Sequence, residues 1–243
     1  MNNKLKSNKV LSYFNNIAKF YDTKITAGSM GLNYIDKVEM DSLISNFPII
    51  HRNRILDIGA GTGRITEQIV KSDATILALD ISPEMLFIAR KKIYEVYGNV
   101  YFVIASAEKL PIRNKTFDKI ISVRVIHYVN NWKNSLSEIS RVITRNGLIL
   151  ISTNNSFSFS ILAKILGLMK VNVFNPFNFA EELRNQGFIT VKIKSYIHIP
   201  ILFYAISNNS FMLKFVITID NIFGFLTKSL LGIRFYIVAK KYR

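Results

Sequence analysis

Residues 55–64 read Ile-Leu-Asp-Ile-Gly-Ala-Gly-Thr-Gly-Arg, and this stretch decides the fold. A short apolar run that ends on an acid and an isoleucine is followed by three glycines at every second position, Gly59, Gly61 and Gly63. Glycine lets the backbone turn tightly and lets a ligand lie against bare N–H groups at the start of a helix. The stretch therefore predicts a buried strand that turns sharply into a helix. A dinucleotide fingerprint would place its third glycine at position 64, where this chain has arginine.

A second apolar run, residues 75–79, ends on Asp80. An acid at the end of such a strand can accept hydrogen bonds from both ribose hydroxyls of an adenosine. Ser82 and Pro83 follow, and they are residues suited to the N-cap and the first position of a helix. The pattern predicts a helix that starts where a nucleoside would lie. Many α/β domains end strands in acids, so the prediction depends on the glycine loop that precedes it.

Strands and helices alternate from residue 53 onward, which predicts a parallel sheet with helices on both faces. The predicted strands are 54–58, 75–80, 100–105, 117–123, 147–153, 188–196 and 234–239. Helices are predicted at 8–21 and 33–47, after each of the first two strands, at 132–144 and at 175–185. Gly147 is predicted to be the C-cap of the helix that ends near residue 144.

These motifs resemble those of the class I S-adenosylmethionine-dependent methyltransferases. The glycine stretch is similar to the first motif of that family, hh-Asp-h-Gly-x-Gly-x-Gly, and residues 80–86 are similar to the second. Other stretches are similar to further motifs of the family, and the family's own pattern is given in parentheses. They are residues 14–22 (F-x-x-I-A-x-x-Y-D), 106–111 (G-D-A-E-x-L-P), 117–118 (F-D) and 141–147 (R-V-L-K-P-G-G). Together they run from residue 14 to residue 152, which is more than half of the chain.

The resemblance implies a single methyltransferase domain over residues 1–243 with a Rossmann-like α/β fold. Its sheet would have seven mostly parallel strands with an antiparallel last strand, and helices on both faces. We expect an N-terminal helical cap at 1–48, a cofactor-binding core at 53–154, and a C-terminal part at 155–243 that carries an apolar insertion at 197–233.

The resemblance also implies S-adenosyl-L-methionine as the cofactor. The implied cofactor-binding residues follow or end the first four strands: Asp57, Gly59, Ala60, Gly61, Gly63, Asp80, Ile81, Ser106, Ala107, Glu108, Val123 and Arg124. Ser106 departs from the family pattern, because the family usually has there an Asp that accepts a hydrogen bond from the adenine amino group. A hydroxyl is a weaker, uncharged acceptor, so we expect an effect on cofactor affinity and not on cofactor identity. No metal site is predicted.

The acceptor is expected at the carboxyl ends of the fourth and fifth strands. His127 there matches a histidine of the L-H-H pattern found in related small-molecule methyltransferases, although Tyr128 replaces the second histidine. A histidine with a pKa near neutrality could take a proton from an acceptor hydroxyl. The alternative is that His127 positions the substrate or caps the helix that begins near Trp132. Tyr13, Tyr21 and Tyr128 complete the residues predicted to contact the acceptor.

The net charge of +16 favours a polyanionic partner, which could be nucleic acid, an acidic membrane surface or a phosphorylated substrate. The chain has no cysteine, which excludes disulfides, thiolate metal sites and covalent cysteine catalysis. The first 20 residues are basic but contain no continuous apolar segment, and no window is apolar enough to span a bilayer. We therefore expect a cytoplasmic protein without a secretory signal.

Three functions remain open from the sequence. The first is methyl transfer to a small or lipid-like acceptor, the second is RNA methylation, and the third is cofactor binding without turnover. The end of the fourth strand lacks the Asn-Pro-Pro-Tyr or Asp-Pro-Pro-Tyr motif of enzymes that methylate exocyclic amino groups of bases, which lowers the weight of the RNA alternative.

The apolar insertion at 197–233 has only three charged residues, Lys214, Asp220 and Lys228. On a helix from about residue 210, one side would carry Phe215, Ile219, Ile222, Leu226 and Leu230. Such a helix can cover a pocket, form a homodimer interface or lie in a membrane interface. If it holds the protein at the inner membrane face, removal of Lys214 and Lys228 should weaken binding to anionic vesicles, and serine at Phe215 and Phe223 should weaken it further.

Overall fold

The computed structural model describes residues 2–26, 29–49, 52–70, 73–94, 99–158, 165–167, 171–227 and 230–242. Lys228, which was named from the sequence, lies outside these residues. The strands are β1 (Arg54–Ile58), β2 (Thr75–Asp80), β3 (Val100–Ile104), β4 (Phe117–Val123), β5 (Ile143–Asn154), β6 (Phe188–Tyr196) and β7 (Arg234–Lys241). The helices are α1 (Asn2–Ile17), α2 (Tyr21–Thr26), α3 (Met30–Ser45), α4 (Arg64–Ile69), α5 (Pro83–Tyr94), α6 (Trp132–Val142), α7 (Pro176–Asn185), α8 (Ile201–Ala205) and α9 (Ser210–Leu226).

The seven strands form one sheet in the order β3-β2-β1-β4-β5-β7-β6. Strand β7 pairs antiparallel with both of its neighbours, and the pairs among β1 to β5 are parallel. The strand order reverses between β1 and β4, so the carboxyl ends of these strands flank a crevice of the kind in which α/β proteins bind ligands. This confirms the predicted Rossmann-like fold with an antiparallel last strand.

Apolar side chains pack on both faces of the sheet. One core cluster joins the sheet to α3, α4, α5, α8 and α9, and the second joins it to α6 and α7. The sheet is therefore covered on both sides, which explains why its central strands are almost continuously apolar.

The region between α6 and β5 differs from the prediction. Helix α6 ends at Val142 and β5 begins at Ile143, so Gly147 lies inside a strand and is not a helix C-cap. A Cβ at position 147 would lie 2.9 Å from the backbone oxygen of Asp118. The pairing of β4 with β5 shifts register beside this residue, between Phe117 and Lys119. Glycine is needed there because two backbones approach closely.

The first two helices cover the carboxyl edge of the sheet, while α3 packs on one of its faces. A single 3-10 turn (Ala18–Phe20) separates α1 from α2. The Ser82 hydroxyl donates to Asn15 Oδ1 over 2.6 Å, and the Thr62 hydroxyl donates to Asp22 Oδ1 over 2.6 Å. Lys92 also pairs with Asp22. These contacts attach the cap to the starts of α4 and α5, the elements that follow the two ligand-binding motifs.

The insertion between β6 and β7 contains α8 and α9, and its apolar side faces away from the core. Val216, Asp220 and Gly224 are the buried residues of α9. Phe215, Ile219, Ile222 and Leu226, which the sequence places together on one side, are all exposed. Phe223, by contrast, is partly buried against the core. Among the described residues, no helix is both long and apolar enough to cross a bilayer.

Candidate functional site

The glycine loop between β1 and α4 needs its glycines for two different reasons. Gly59, Gly61 and Gly63 have φ values of 71°, 55° and 82°, a region that side chains with a Cβ rarely adopt. A Cβ at position 59 would also lie 2.1 Å from the side chain of Val125, whereas a Cβ at position 61 would meet only the Gly59 backbone oxygen, at 4.0 Å. The backbone at Gly61 is therefore open to a ligand.

Asp80 fixes this loop from the end of β2. Its Oδ2 accepts a hydrogen bond from the Gly61 N–H over 2.9 Å, and its Oδ1 accepts one from the Ser82 N–H over 2.8 Å. Burial raises the pKa of Asp80 above its ordinary value, although these backbone donors favour the ionised form. Each carboxylate oxygen keeps a second lone pair, so Asp80 can still accept from two ribose hydroxyls.

Asp57 lies beneath the loop and not in the cleft. It is buried, and its Oδ2 accepts a hydrogen bond from the Thr66 hydroxyl over 2.6 Å. Burial raises its pKa to about 7, and the nearby Asp80 adds to that rise. Asp57 therefore connects β1 to α4 from inside, and any effect on the cofactor would pass through the loop.

A cleft of about 790 Å³, including the space at its mouth, opens above the loop. Its lining includes Gly59, Gly61, Asp80, Ile81, Ser106, Ala107, Glu108, Val123, Arg124, Tyr21 and Tyr128, all predicted from the sequence. Asp57, Ala60, Gly63, Tyr13 and His127 are not part of that lining. The cleft is also lined by residues that were not predicted as site residues from the sequence: Ser7, Val10, Phe14, Leu79, Met85, Ala105, Val125, Val129 and Asn130. Phe14 lies in the N-terminal motif that was identified from the sequence.

Aromatic rings form one wall of the cleft. The ring of Phe14 meets the ring of Tyr128 edge to face, with 5.1 Å between their centroids, and it lies 6.2 Å from the ring of Tyr21. Burial raises the pKa of Tyr128, so its hydroxyl remains protonated at neutral pH. This wall brings together α1, α2 and the turn after β4, and it lines the same cleft as the glycine loop.

The loop after β3 is held by short-range hydrogen bonds. The hydroxyl of Ser106 accepts from the Glu108 N–H over 3.2 Å. The carboxylate of Glu108 accepts from the Asn131 N–H over 2.8 Å, at the start of α6. Ser106 therefore shapes its own turn as well as lining the cleft, where the family pattern would place an Asp.

His127 is buried behind the cleft. Its Nδ1 lies 3.4 Å from the Thr153 hydroxyl, and its backbone oxygen accepts from the Asn172 N–H over 2.9 Å. Burial lowers its pKa to about 3, and the positive charges of Arg234 and Arg124 add to that effect. The ring is neutral at physiological pH and does not line the cleft, so this geometry gives no support to the prediction of a general base.

A buried ion cluster stands next to the cleft and was not predicted. Glu39, on α3, is completely buried; its Oε2 lies 2.8 Å from Nη1 of Arg234 and 3.8 Å from Nη1 of Arg124, and its Oε1 accepts from the Tyr196 hydroxyl over 2.8 Å. Burial opposes ionisation, but the two arginines and Tyr196 hold the pKa of Glu39 below its usual value. No sequence signal joins these residues, because they come from four separate elements.

Arg124 belongs to both the ion cluster and the cleft. It follows β4 with a φ of 60°, and its backbone N–H donates to the Ser152 oxygen over 3.0 Å. Among the described residues, the Arg124 guanidinium forms an ion pair with Glu39 at 3.8 Å and makes no side-chain hydrogen bond. Its remaining N–H groups are therefore available to an acceptor in the cleft.

Comparisons with known proteins show which sequences and folds this chain is similar to. Residues 56–151 match the family model described as a methyltransferase domain. The ubiquinone/menaquinone biosynthesis C-methyltransferase UbiE of Stutzerimonas stutzeri is 32% identical over 166 residues, which are 63% of this chain and 62% of that protein. The chain thus spans less than two thirds of that relative.

Two solved structures share the fold. The putative methyltransferase in a complex with the Haloferax volcanii Trm112 methyltransferase activator has a TM-score of 0.70 and 15% identity, and covers 95% of this chain and 98% of its own. Phosphoethanolamine N-methyltransferase 2 of Haemonchus contortus, in complex with S-adenosyl-L-methionine, has a TM-score of 0.65 and 17% identity, over 85% of this chain and 53% of that chain.

The chain shares its fold with these solved structures. Residues 56–151, which include the glycine loop, are the part that matches the methyltransferase domain family. Among the described residues, no group of three or more His, Cys, Asp or Glu side chains is arranged to hold a metal ion.

Proposed function

We propose that this protein transfers the methyl group of S-adenosyl-L-methionine to a small hydrophobic acceptor, and that the acceptor is a quinone-type ring. The observation that carries the proposal is the cleft itself, in which the open backbone of Gly61 and the carboxylate of Asp80 face an aromatic wall. The name of the UbiE relative supports a ring carbon as the methylated atom.

The cofactor side of the cleft fits an adenosine. Asp80 has free lone pairs for ribose hydroxyls, and Ala107 and Ile81 supply apolar contacts beside it. The bound cofactor would supply an electrophilic methyl group on a sulfonium. The task of the protein is then to align that methyl with the acceptor and to exclude water.

The acceptor side combines apolar and polar groups. Phe14, Tyr21 and Tyr128 offer flat faces against which a ring can pack. Arg124 offers N–H donors to a ring oxygen, and its positive charge would stabilise the phenolate that forms when the hydroxyl loses its proton to water. The negative charge of that phenolate then moves into the ring as the ring carbon attacks the methyl group, and the ring proton at that carbon is lost to water afterwards. In this proposal Arg124 and Tyr128 replace His127 as the polar groups that act on the acceptor.

The test is methyl transfer from labelled cofactor to a naphthoquinol that has an unsubstituted ring position and a short isoprenoid tail. We expect the label on a ring carbon, where NMR distinguishes it from an O-methyl ether. The Arg124→Met variant should lower kcat by roughly tenfold to a hundredfold and leave cofactor affinity within about twofold, because the guanidinium acts on the acceptor. The exposed Arg145→Met change is the matched control.

Absence of label in the quinol, together with label in RNA from the same cell extract, would overturn the proposal in favour of RNA methylation. Absence of label in every fraction, with normal cofactor binding, would favour a cofactor-binding protein without turnover. The RNA alternative rests on net charge, which does not distinguish RNA from other polyanions.

A further inference from the structure

Helix α9 exposes a continuous row of large apolar side chains, which we call the apolar ridge. The ridge consists of Phe211, Phe215, Ile219, Ile222, Phe225 and Leu226. At about 100° per residue, these positions fall within an arc of about 120° on the helix. Phe211 and Phe225 are each 84% exposed, and Phe215 is 60% exposed. Exposed apolar surfaces of this extent mark interaction sites.

The orientation of α9 is fixed by polar contacts on its inner side. Asp220 Oδ1 accepts hydrogen bonds from the backbone N–H groups of His198 and Ile199, over 2.7 and 2.9 Å. Gly224 packs so closely against the His198 ring that a Cβ there would lie 2.7 Å from the ring Cε1. A rotation of α9 that turned the apolar ridge inward would break these contacts of Asp220 and Gly224. The contacts therefore keep the ridge facing outward.

The charges around the ridge fit an anionic surface. Asp220 is the only acid between residues 197 and 233, and it is buried and bound to His198. Lys214 is exposed on α9, and the exposed Lys194 lines a cavity together with Phe225. A second copy of the chain would carry the same net charge of +16 and the same lysines beside its ridge. Electrostatic repulsion therefore disfavours a homodimer there, while attraction favours anionic lipid.

We propose that the apolar ridge docks the protein on the surface of an anionic phospholipid bilayer. Helix α9 has 17 residues and is about 25 Å long, so it would lie in the plane of the interface with its phenyl rings among the upper acyl chains. Lys194 and Lys214 would meet the lipid headgroups. This inference does not depend on which acceptor is methylated.

The experiment is flotation of the full chain with vesicles that range from pure phosphatidylcholine to equal parts phosphatidylcholine and phosphatidylglycerol. We expect bound protein to increase with phosphatidylglycerol and to decrease as salt is raised from about 0.05 to 0.5 M. The double variant Phe215→Ser/Phe225→Ser should lower the partition coefficient by about tenfold or more. Phe225 replaces Phe223 in this test, because Phe223 is partly buried.

The matched control is Phe87→Ser/Phe177→Ser, which removes two exposed phenyl rings from elsewhere on the surface. We expect it to bind vesicles like the wild type, and Lys214→Glu to bind less only at low salt. Equal losses in the control and the ridge variant, or no binding by the wild type, would overturn the proposal. A lipid-free dimer in sedimentation velocity that the ridge variant abolishes would also overturn it, because the occupant would then be a second copy.

Discussion

The carboxyl groups of Asp80 and Asp57, at the ends of neighbouring strands, have different roles in this protein. Asp80 faces the cleft and accepts from two backbone N–H groups, while Asp57 lies below the loop and accepts from a threonine hydroxyl. Asp57 belongs to the first sequence motif and Asp80 to the second, but neither motif shows that the two roles differ. Their separate environments lead to one prediction about binding and one about stability.

The first prediction concerns cofactor affinity. Replacing Asp80 with Ala should weaken S-adenosylmethionine binding by about 1.5–3 kcal/mol, because hydrogen bonds from the ribose to a charged acceptor are lost and the loop loses an anchor. Titration calorimetry measures the change. Asp80→Asn, which keeps one acceptor oxygen, should lose less, and Glu84→Ala at the exposed start of α5 should have no effect. Unchanged affinity in Asp80→Ala would show that the ribose does not bind there.

The second prediction concerns the pH dependence of stability. The pKa of Asp57 is about 7 in the folded protein and near 3.8 in the unfolded chain. Between these values the folded state keeps a proton that the unfolded state has lost, so the free energy of unfolding from this group falls as pH rises, by up to about 1.4 kcal/mol per pH unit. Below the lower value and above the higher one, its contribution is constant.

Urea denaturation of the wild type and of Asp57→Asn across this pH range isolates the effect. Asparagine can still accept from the Thr66 hydroxyl but has no proton to lose. The difference in unfolding free energy between wild type and variant should move in favour of the variant as pH rises from about 4 to 7. A difference that does not change with pH would mean that Asp57 titrates normally.

At the scale of secondary structure elements, the Glu39 cluster joins α3 to the turn after β4 and to strands β6 and β7. Its charges are buried, so removing one partner leaves the others unpaired in a poorly solvated place. The cluster therefore holds the cap side of the molecule to the end of the sheet.

We predict that Glu39→Ala lowers the free energy of unfolding by about 3–5 kcal/mol, because two partly buried arginines lose their counter-charge. Urea unfolding followed by far-UV circular dichroism measures it. Asp41→Ala, an exposed acid on the same helix, is the control and should change stability by less than about 0.5 kcal/mol. If the two variants are equally stable, the cluster is solvated and contributes little.

The sequence predicted local features well at this scale and long-range ones poorly. The bounds of β1, β2, β4 and β6 agree with the prediction, because each has the apolar and β-branched residues typical of strands and stands between turn signals. The stripe on α9 was also recognised, but periodicity does not tell which side of a helix faces the core. Asp220 and Gly224 decide that, through contacts with His198 that are distant in sequence.

At the scale of the whole molecule, the difference between local and long-range features also explains which site residues could be predicted. The glycine loop, Asp80 and the loop after β3 could be predicted because each stretch carries its own motif. His127 was expected in the cleft from its place at the carboxyl end of β4 and its match to the L-H-H pattern. The turn after β4 instead places the Tyr128 ring in the cleft wall and buries the His127 ring. Arg234, which pairs with a residue 195 positions earlier, has no local signature at all.

The strand order also has a consequence for how the chain folds. Strand β6 precedes β7 in the chain but pairs with no other strand, so it cannot join the sheet until β7 has inserted beside β5. Arg234, which neutralises Glu39, arrives with that same strand. Closing so long a loop is entropically slow. During folding, β6 therefore stays outside the sheet until β7 inserts, and the Glu39 cluster is completed only by that step.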